Sequence, residues 1–370
     1  MAMEIGSILL AILAGIAWAI AQFGKRYGAV ADDQTYTAVP TEGVGKYGAD
    51  SHIKAETNNA EASRKFINPM SDHSQQLIDC LITLIYLTGA SFSCIISMVM
   101  QFSQVGAVIS DPSWQRRLPW LEMLQVLEGC AVLISVVTIG YAGRNLLTSV
   151  ACIMMNSLFA AIAPMMVALM FFEQLASGTW FGIMLVAVGV SLASGELDKL
   201  WKEKGGGGRD PHVYLKVLFG SFMTAVFWGC GTVSTRYGTL HVPEELLTIW
   251  PAVTNFVGFP GMMLVPTLMG CYVYLTSENV SMSQVKASLE KRAAVTLVCG
   301  AATGLGGLAF SHSLSMAEKN SGAILTALAN GVYNLVVVFI FVVTYQESVT
   351  ALQLSGMVIL FAAVLSLCFA

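Results

Sequence analysis

The chain has 370 residues, a formal net charge of −4, and 55% apolar against 11% charged residues. Soluble domains carry roughly 25% charged residues, so this composition excludes an ordinary water-soluble fold. No basic patch with interleaved aromatics exists, which argues against a nucleic-acid partner.

The apolar residues fall in long runs, and the stretch from Leu146 to Phe172 holds no charge at all. About 20 apolar residues suffice to cross a bilayer as a helix. Hydropathy and flanking polar residues predict ten spans, at about residues 5–28, 76–103, 119–143, 145–172, 177–195, 213–237, 245–275, 293–315, 320–345 and 349–369. The first run begins at Ile5 without a basic leader and exceeds signal-peptide length, so it reads as a span and not as a cleaved leader. Continuous runs favour helices over a β-barrel, whose strands would alternate over about ten residues.

Polar stretches punctuate the runs. Residues 31–75 form an insert rich in Ala, Thr, Gly and mixed charge, a composition that stays loosely folded. "ELDKLWKEKGGGGRDP" makes up nearly all of a Gly-rich linker at 196–212; no Gly-Lys-Ser/Thr follows its glycines, so it reads as a flexible joint and not a phosphate loop. Residues 276–292 join the seventh and eighth spans. The eight cysteines lie in apolar segments with no CxxC pair and no His at ligand spacing, so neither a metal nor another cofactor is expected.

The chain repeats itself. Trp18, Arg26, Tyr27 and Gly28 recur 210 residues later as Trp228, Arg236, Tyr237 and Gly238. Further on the offset becomes 174: Asn156 matches Asn330, Glu173 matches Glu347, and Gly182 matches Gly356. The insert accounts for the difference. Residues 1–195 and 213–370 then form two repeats of five helices, and an odd number of spans per repeat inverts the second relative to the first. The expected fold is an all-α integral membrane protein of ten transmembrane helices in two inverted five-helix repeats. Such duplication suits a transporter whose halves rock about a midplane site.

"GLGGLAFSHSLSMAEKNSGAILTALANGVYNLVVVFIFVVTYQESVTALQLSGMVILFAAVLSL" resembles the C-terminal end of the drug/metabolite transporter superfamily, EamA-like branch. "NLLTSVACIMMNSLFAAIAPMMVALMFFEQLASGTWFGIMLVAVGVSL" looks like the equivalent end of the first half. The resemblance implies ten helices around a central cavity lined mainly by the first four helices of each half. There is one departure: members often carry a Pro where this chain has Ala160 and Asn334.

Polar residues inside spans are the candidates for lining such a cavity. Asn156, Asn330, Tyr333 and Asn334 offer donors and acceptors for a polar solute; the same groups also serve interhelical hydrogen bonds. Glu128 is a candidate for proton coupling. It also reads, with Glu122 and Gln125, as the polar start of its helix. Trp18, Arg26 and Tyr27, with Trp228, Arg236 and Tyr237, are candidate gate residues or interfacial anchors. Glu173 and Glu347 read as acidic groups at helix N-termini. Gly300, Gly304, Gly306 and Gly307 thin the eighth span, and Pro251, Pro260 and Pro266 punctuate the seventh.

The expected function is secondary transport of a small polar metabolite, with membrane lipid as surroundings and a homodimer left open. Nucleotide-sugar or phosphate-ester exchange, with Arg26 and Arg236 on phosphate, is one alternative; a non-transporting receptor or assembly factor is another. No catalytic constellation is present. The sequence does not separate plasma membrane from endomembrane.

Overall fold

The computed structural model describes residues 5–29, 72–144, 148–193, 211–240, 242–277, 280–318, 320–345 and 350–369. Most of the insert, most of the linker, and Glu347 lie outside them. The described residues form α1 (Ile5–Ala29), α2 (Asp72–Met100), α3 (Phe102–Ser110), α4 (Pro112–Arg144), α5 (Thr148–Met170) and α6 (Ser177–Ala193). After the linker come α7 (Pro211–Thr239), α8 (Trp250–Thr276), α9 (Met282–Ser315), α10 (Gly322–Tyr345) and α11 (Ala351–Cys368). One 3-10 turn (Glu244–Leu246) precedes α8, and no strand occurs among these residues. Six of the helices, α1, α2, α4, α7, α8 and α9, are long and apolar enough to cross a membrane, which marks the protein as membrane-embedded. The apolar parts of α5, α6, α10 and α11 are shorter.

Two elements depart from the hydropathy reading. Helix α3 has only 9 residues and links α2 to α4. Asp111 closes it and accepts the Ser113 N–H at 2.7 Å, while Pro112 occupies the first turn of α4, where no backbone N–H is needed. Helix α4 therefore starts ahead of its apolar stretch. Helix α9 likewise begins at Met282, so residues read as a loop belong to a helix. Its first turns are amphipathic: Val285 is buried, while Lys286 and Glu290 are exposed and pair at 3.8 Å. A charged face hides such a turn from a hydropathy profile.

Helix α1 illustrates how these helices pack. Ala11 and Ala14 are fully buried, while Leu9, Leu13, Ile16 and Ile20 are exposed on the outer face. In lipid the large aliphatics gain nothing by turning inward, so small residues face the neighbouring helices and permit close approach. The packing partners form a regular set. Helix α1 packs on α9 and α10, and α7 packs on α4 and α5. Helix α2 packs on α9, and α8 on α4; α2 meets α8, α5 meets α10, and α6 meets α11.

Glycines set the tightest of these contacts. A Cβ on Gly300 or Gly304 of α9 would strike the carbonyl oxygen of Tyr86 or Ala90 on α2, and one on Gly129 of α4 would strike the Met262 backbone on α8. Pro251 sits in the first turn of α8, while Pro260 and Pro266 lie within it. Thr350 caps α11 by accepting the Gln353 N–H at 3.2 Å, and the Gln353 side chain accepts the Thr350 N–H at 2.8 Å. This is a reciprocal capping box.

Candidate functional site

A partly open cavity of about 150 Å³ lies between α1, α2, α4, α5, α7, α8, α9 and α10. No described residue of α6 or α11 lines it; these two helices pack together. Seven aromatic residues contribute to the wall beside aliphatic, glycine and polar ones. Trp18 and Phe310 pack with ring centroids 5.2 Å apart, and Phe159 and Trp228 with centroids 5.5 Å apart. Tyr86 and Tyr333 add two phenols. Among the described residues that line the cavity, Glu128 is the one charged side chain, with its carboxylate lying directly against Gly231 of α7. A Cβ at Gly231 would displace the end of the Glu128 side chain.

Of the residues singled out from the sequence, Trp18, Glu128, Trp228 and Tyr333 line this cavity. Asn156 adjoins it: its Oδ1 accepts the Tyr333 hydroxyl at 3.0 Å, joining α5 to α10. Asn330 and Asn334 are buried but do not line it. The Asn334 Nδ2 donates to the Asn330 carbonyl at 2.8 Å, within α10. Neither side-chain polar atom of Asn330 has a hydrogen-bond partner, although the residue is only 1% exposed. The side chains of Arg26 and Tyr27 lie outside the described residues.

Arg236 and Tyr237 stand apart from the cavity. Tyr237 packs against the core cluster around Trp250 and Leu121. Arg236, 2% exposed, is buried within the protein. Its guanidinium donates to the Leu314 carbonyl at 2.8 Å, to the Glu318 carbonyl at 3.1 Å and to Glu173 Oε1 at 3.4 Å. Glu173 in turn accepts the Gly322 N–H at 3.2 Å and the Ala323 N–H at 2.8 Å. The acid therefore caps the N-terminus of α10, not that of the helix that follows it in sequence. The turn ending α5 aims it there: Phe172 has φ 52°, and the Glu173 N–H returns to the Ala168 carbonyl at 2.9 Å. This is a left-handed helix stop held by a residue other than glycine. One cluster thus ties the ends of α5, α7 and α9 to the start of α10.

Several polar groups at the cavity escaped the sequence reading. Tyr86 and Thr303 share a hydrogen bond between α2 and α9. Asn255 Nδ2 donates to Ser311 Oγ at 2.9 Å, joining α8 to α9. Thr232 and Thr235 on α7 and Gln22 on α1 also line the wall. The available signal was position: Gln22 lies one turn beyond Trp18, and Thr232 and Thr235 lie one and two turns beyond Trp228. The glycine stripe of α9 divides by role. Gly300 and Gly304 meet α2, Gly306 meets the Trp18 indole, and Gly307 faces the cavity with open space at its Cβ position.

No protein-family model and no curated protein matches this sequence. The fold is similar to a solved structure described as "Crystal structure of protein", with a TM-score of 0.55 at 14% identity over 97% of this chain and 95% of that one. A likeness at this identity extends to the fold alone.

Proposed function

We propose that the chain is a secondary transporter that moves a small polar metabolite by alternating access, with ten spans in two inverted five-helix repeats of the drug/metabolite transporter type. The observation that carries this reading is the relation between packing and cavity. If α1, α2, α4, α5 and α6 are exchanged with α7, α8, α9, α10 and α11 in that order, the packing set maps onto itself. The α1–α9 contact becomes α7–α4, α2–α9 becomes α8–α4, and α1–α10 becomes α7–α5. The cavity lies between α1, α2, α4 and α5 of one set and α7, α8, α9 and α10 of the other, which that exchange would leave unchanged. Two related bundles around a central site are the architecture of a rocking transporter. Trp18 and Trp228, equivalent in the sequence repeat, face that cavity together.

Phosphate-ester or nucleotide-sugar exchange draws less support. It requires cationic groups at the solute, and Arg236 is held by Glu173 instead. The deciding measurement is counterflow: purified protein in liposomes loaded with a pool of polar metabolites takes up labelled solute only against a matching internal pool. Absence of flux with every pool, from protein that remains folded, overturns the transporter reading and leaves a receptor or assembly factor.

A further inference from the structure

We infer that Gln22 is the solute-recognition group of the cavity, and that it takes a neutral solute bearing a carboxamide. The inference deepens the transporter reading, on which its biological meaning rests. Gln22 lines the cavity from α1 and is only 3% exposed. Its side chain makes no hydrogen bond among the described residues. Asn330 is unpartnered too, but its amide is sealed away from the space, whereas Gln22 stands in the wall. An amide this far from bulk solvent needs a partner, and the cavity is where one can reach it.

The neighbouring polar groups decide what that partner must offer. The hydroxyls of Thr232, Thr235 and Thr303 donate to carbonyls one turn back, at 3.2, 3.0 and 3.2 Å. A hydroxyl has one proton, so these three present a solute with lone pairs only. Gln22 instead sets a carbonyl oxygen beside an NH2 group. A sugar, with an oxygen on nearly every carbon, would need many donors from this wall. A carboxamide needs few: its oxygen and one N–H pair with the Gln22 amide at two points, and its second N–H remains for a threonine oxygen.

The sequence repeat singles out the same position. Gln22 lies four residues beyond Trp18, as Thr232 lies four beyond Trp228, and all of them line the cavity. Each half thus places a polar side chain in the wall at the equivalent point. The hydroxyl on α7 is engaged by its own helix, and the amide on α1 is not. At about 150 Å³ the space holds a group of roughly benzene's bulk, so a single ring carrying one carboxamide suits it.

Nicotinamide is a suitable probe, and methyl pyridyl ketone keeps its ring and carbonyl while lacking the N–H donors. Binding of radiolabelled nicotinamide to the purified full-length protein should be saturable. The ketone should compete about tenfold or more weakly, because a site built around a solute N–H rejects the analogue without one. Gln22→Met keeps the length of the side chain and removes the amide. It should weaken nicotinamide by at least about tenfold and the ketone by less. Gln104→Met, on α3 where Gln104 bonds Thr248 away from the cavity, should leave binding unchanged. If Gln22→Met loses its fold, Gln22→Asn replaces it, because it withdraws the amide by one methylene and keeps the polarity.

Equal competition by the ketone, wild-type affinity in the folded Gln22 variant, or no saturable nicotinamide binding by folded wild type would each overturn the inference. The two readings fail separately. Nicotinamide binding without counterflow of any solute overturns transport and leaves the carboxamide site. Counterflow of another solute without nicotinamide binding overturns the carboxamide site and leaves transport.

Discussion

Arg236 is the residue whose environment differs most from what its position in the sequence implies. Near a helix end, an arginine ordinarily reaches for the headgroup layer. This one is 2% exposed and spends its donors on Glu173 and two carbonyls of the chain leaving α9. Removing one member of a buried pair leaves the other charge without its partner, at a typical cost of about 3–5 kcal/mol. Arg236→Met should therefore lower the thermal midpoint of the detergent-solubilised protein strongly. Glu173→Gln keeps an oxygen for one backbone N–H of α10 and should cost less, on the order of 1–3 kcal/mol. Arg236→Lys should behave more like Met than like wild type, because a point donor cannot serve three divergent acceptors. A thermal series in which all three variants match wild type would show that the cluster contributes no stability.

Among the elements, α9 meets α2 and lines the cavity, and Gly300 and Gly307 mark the two faces. At Gly300 even a methyl group meets the Tyr86 carbonyl oxygen, so Gly300→Ala forces α2 and α9 apart and should destabilise by about 1–3 kcal/mol. Gly307 has open space, so Gly307→Ala should leave the melting temperature unchanged or slightly raised through better helix propensity, by up to about 1 kcal/mol. Its methyl would nevertheless narrow the cavity and should change the solute affinity measured in uptake. Much of this layout was legible in the sequence, because apolar runs separated by polar breaks announce helices whatever their neighbours. The amphipathic opening of α9 and the short α3 were hidden for the opposite reason, their charged or brief surfaces diluting the hydropathy. Helix phase was the harder problem. A span with apolar residues on every face has no polar side to identify the cavity, so Trp18, Trp228 and Tyr333 could be named while Tyr86 and Asn255 could not. Threonines satisfied by their own helix carry no mark of their location. The partner of Glu173 was also beyond reach, since nothing local says that an acid ending α5 will cap α10.

For the whole molecule, the Glu173–Arg236 cluster lies at one end of the cavity. Arg236 directly follows the wall residue Thr235 on α7, and Leu314, whose carbonyl it binds, is one turn beyond the wall residue Phe310 on α9. The cluster therefore fastens α5, α7, α9 and α10 together immediately past the space a solute would occupy. In an alternating-access cycle this end must part, and the cluster's free energy favours the conformation in which it is closed. A change of 1.4 kcal/mol shifts such an equilibrium about tenfold, so weakening the cluster should raise the population open at this end at least that much. Cys94 reports the change, since it lines the cavity and is 1% exposed. In a background where the other cysteines are replaced by Ala or Ser, a membrane-impermeant thiol reagent should label Cys94 in Glu173→Gln about tenfold faster than in wild type. The acceleration should appear only with reagent on the face that carries the C-terminal end of α7. Reagent on the opposite face should label more slowly than wild type, because population moved to one open state is withdrawn from the other. Acceleration from both faces would mean that the variant has loosened generally, and equal rates from both would remove the cluster from any gating role.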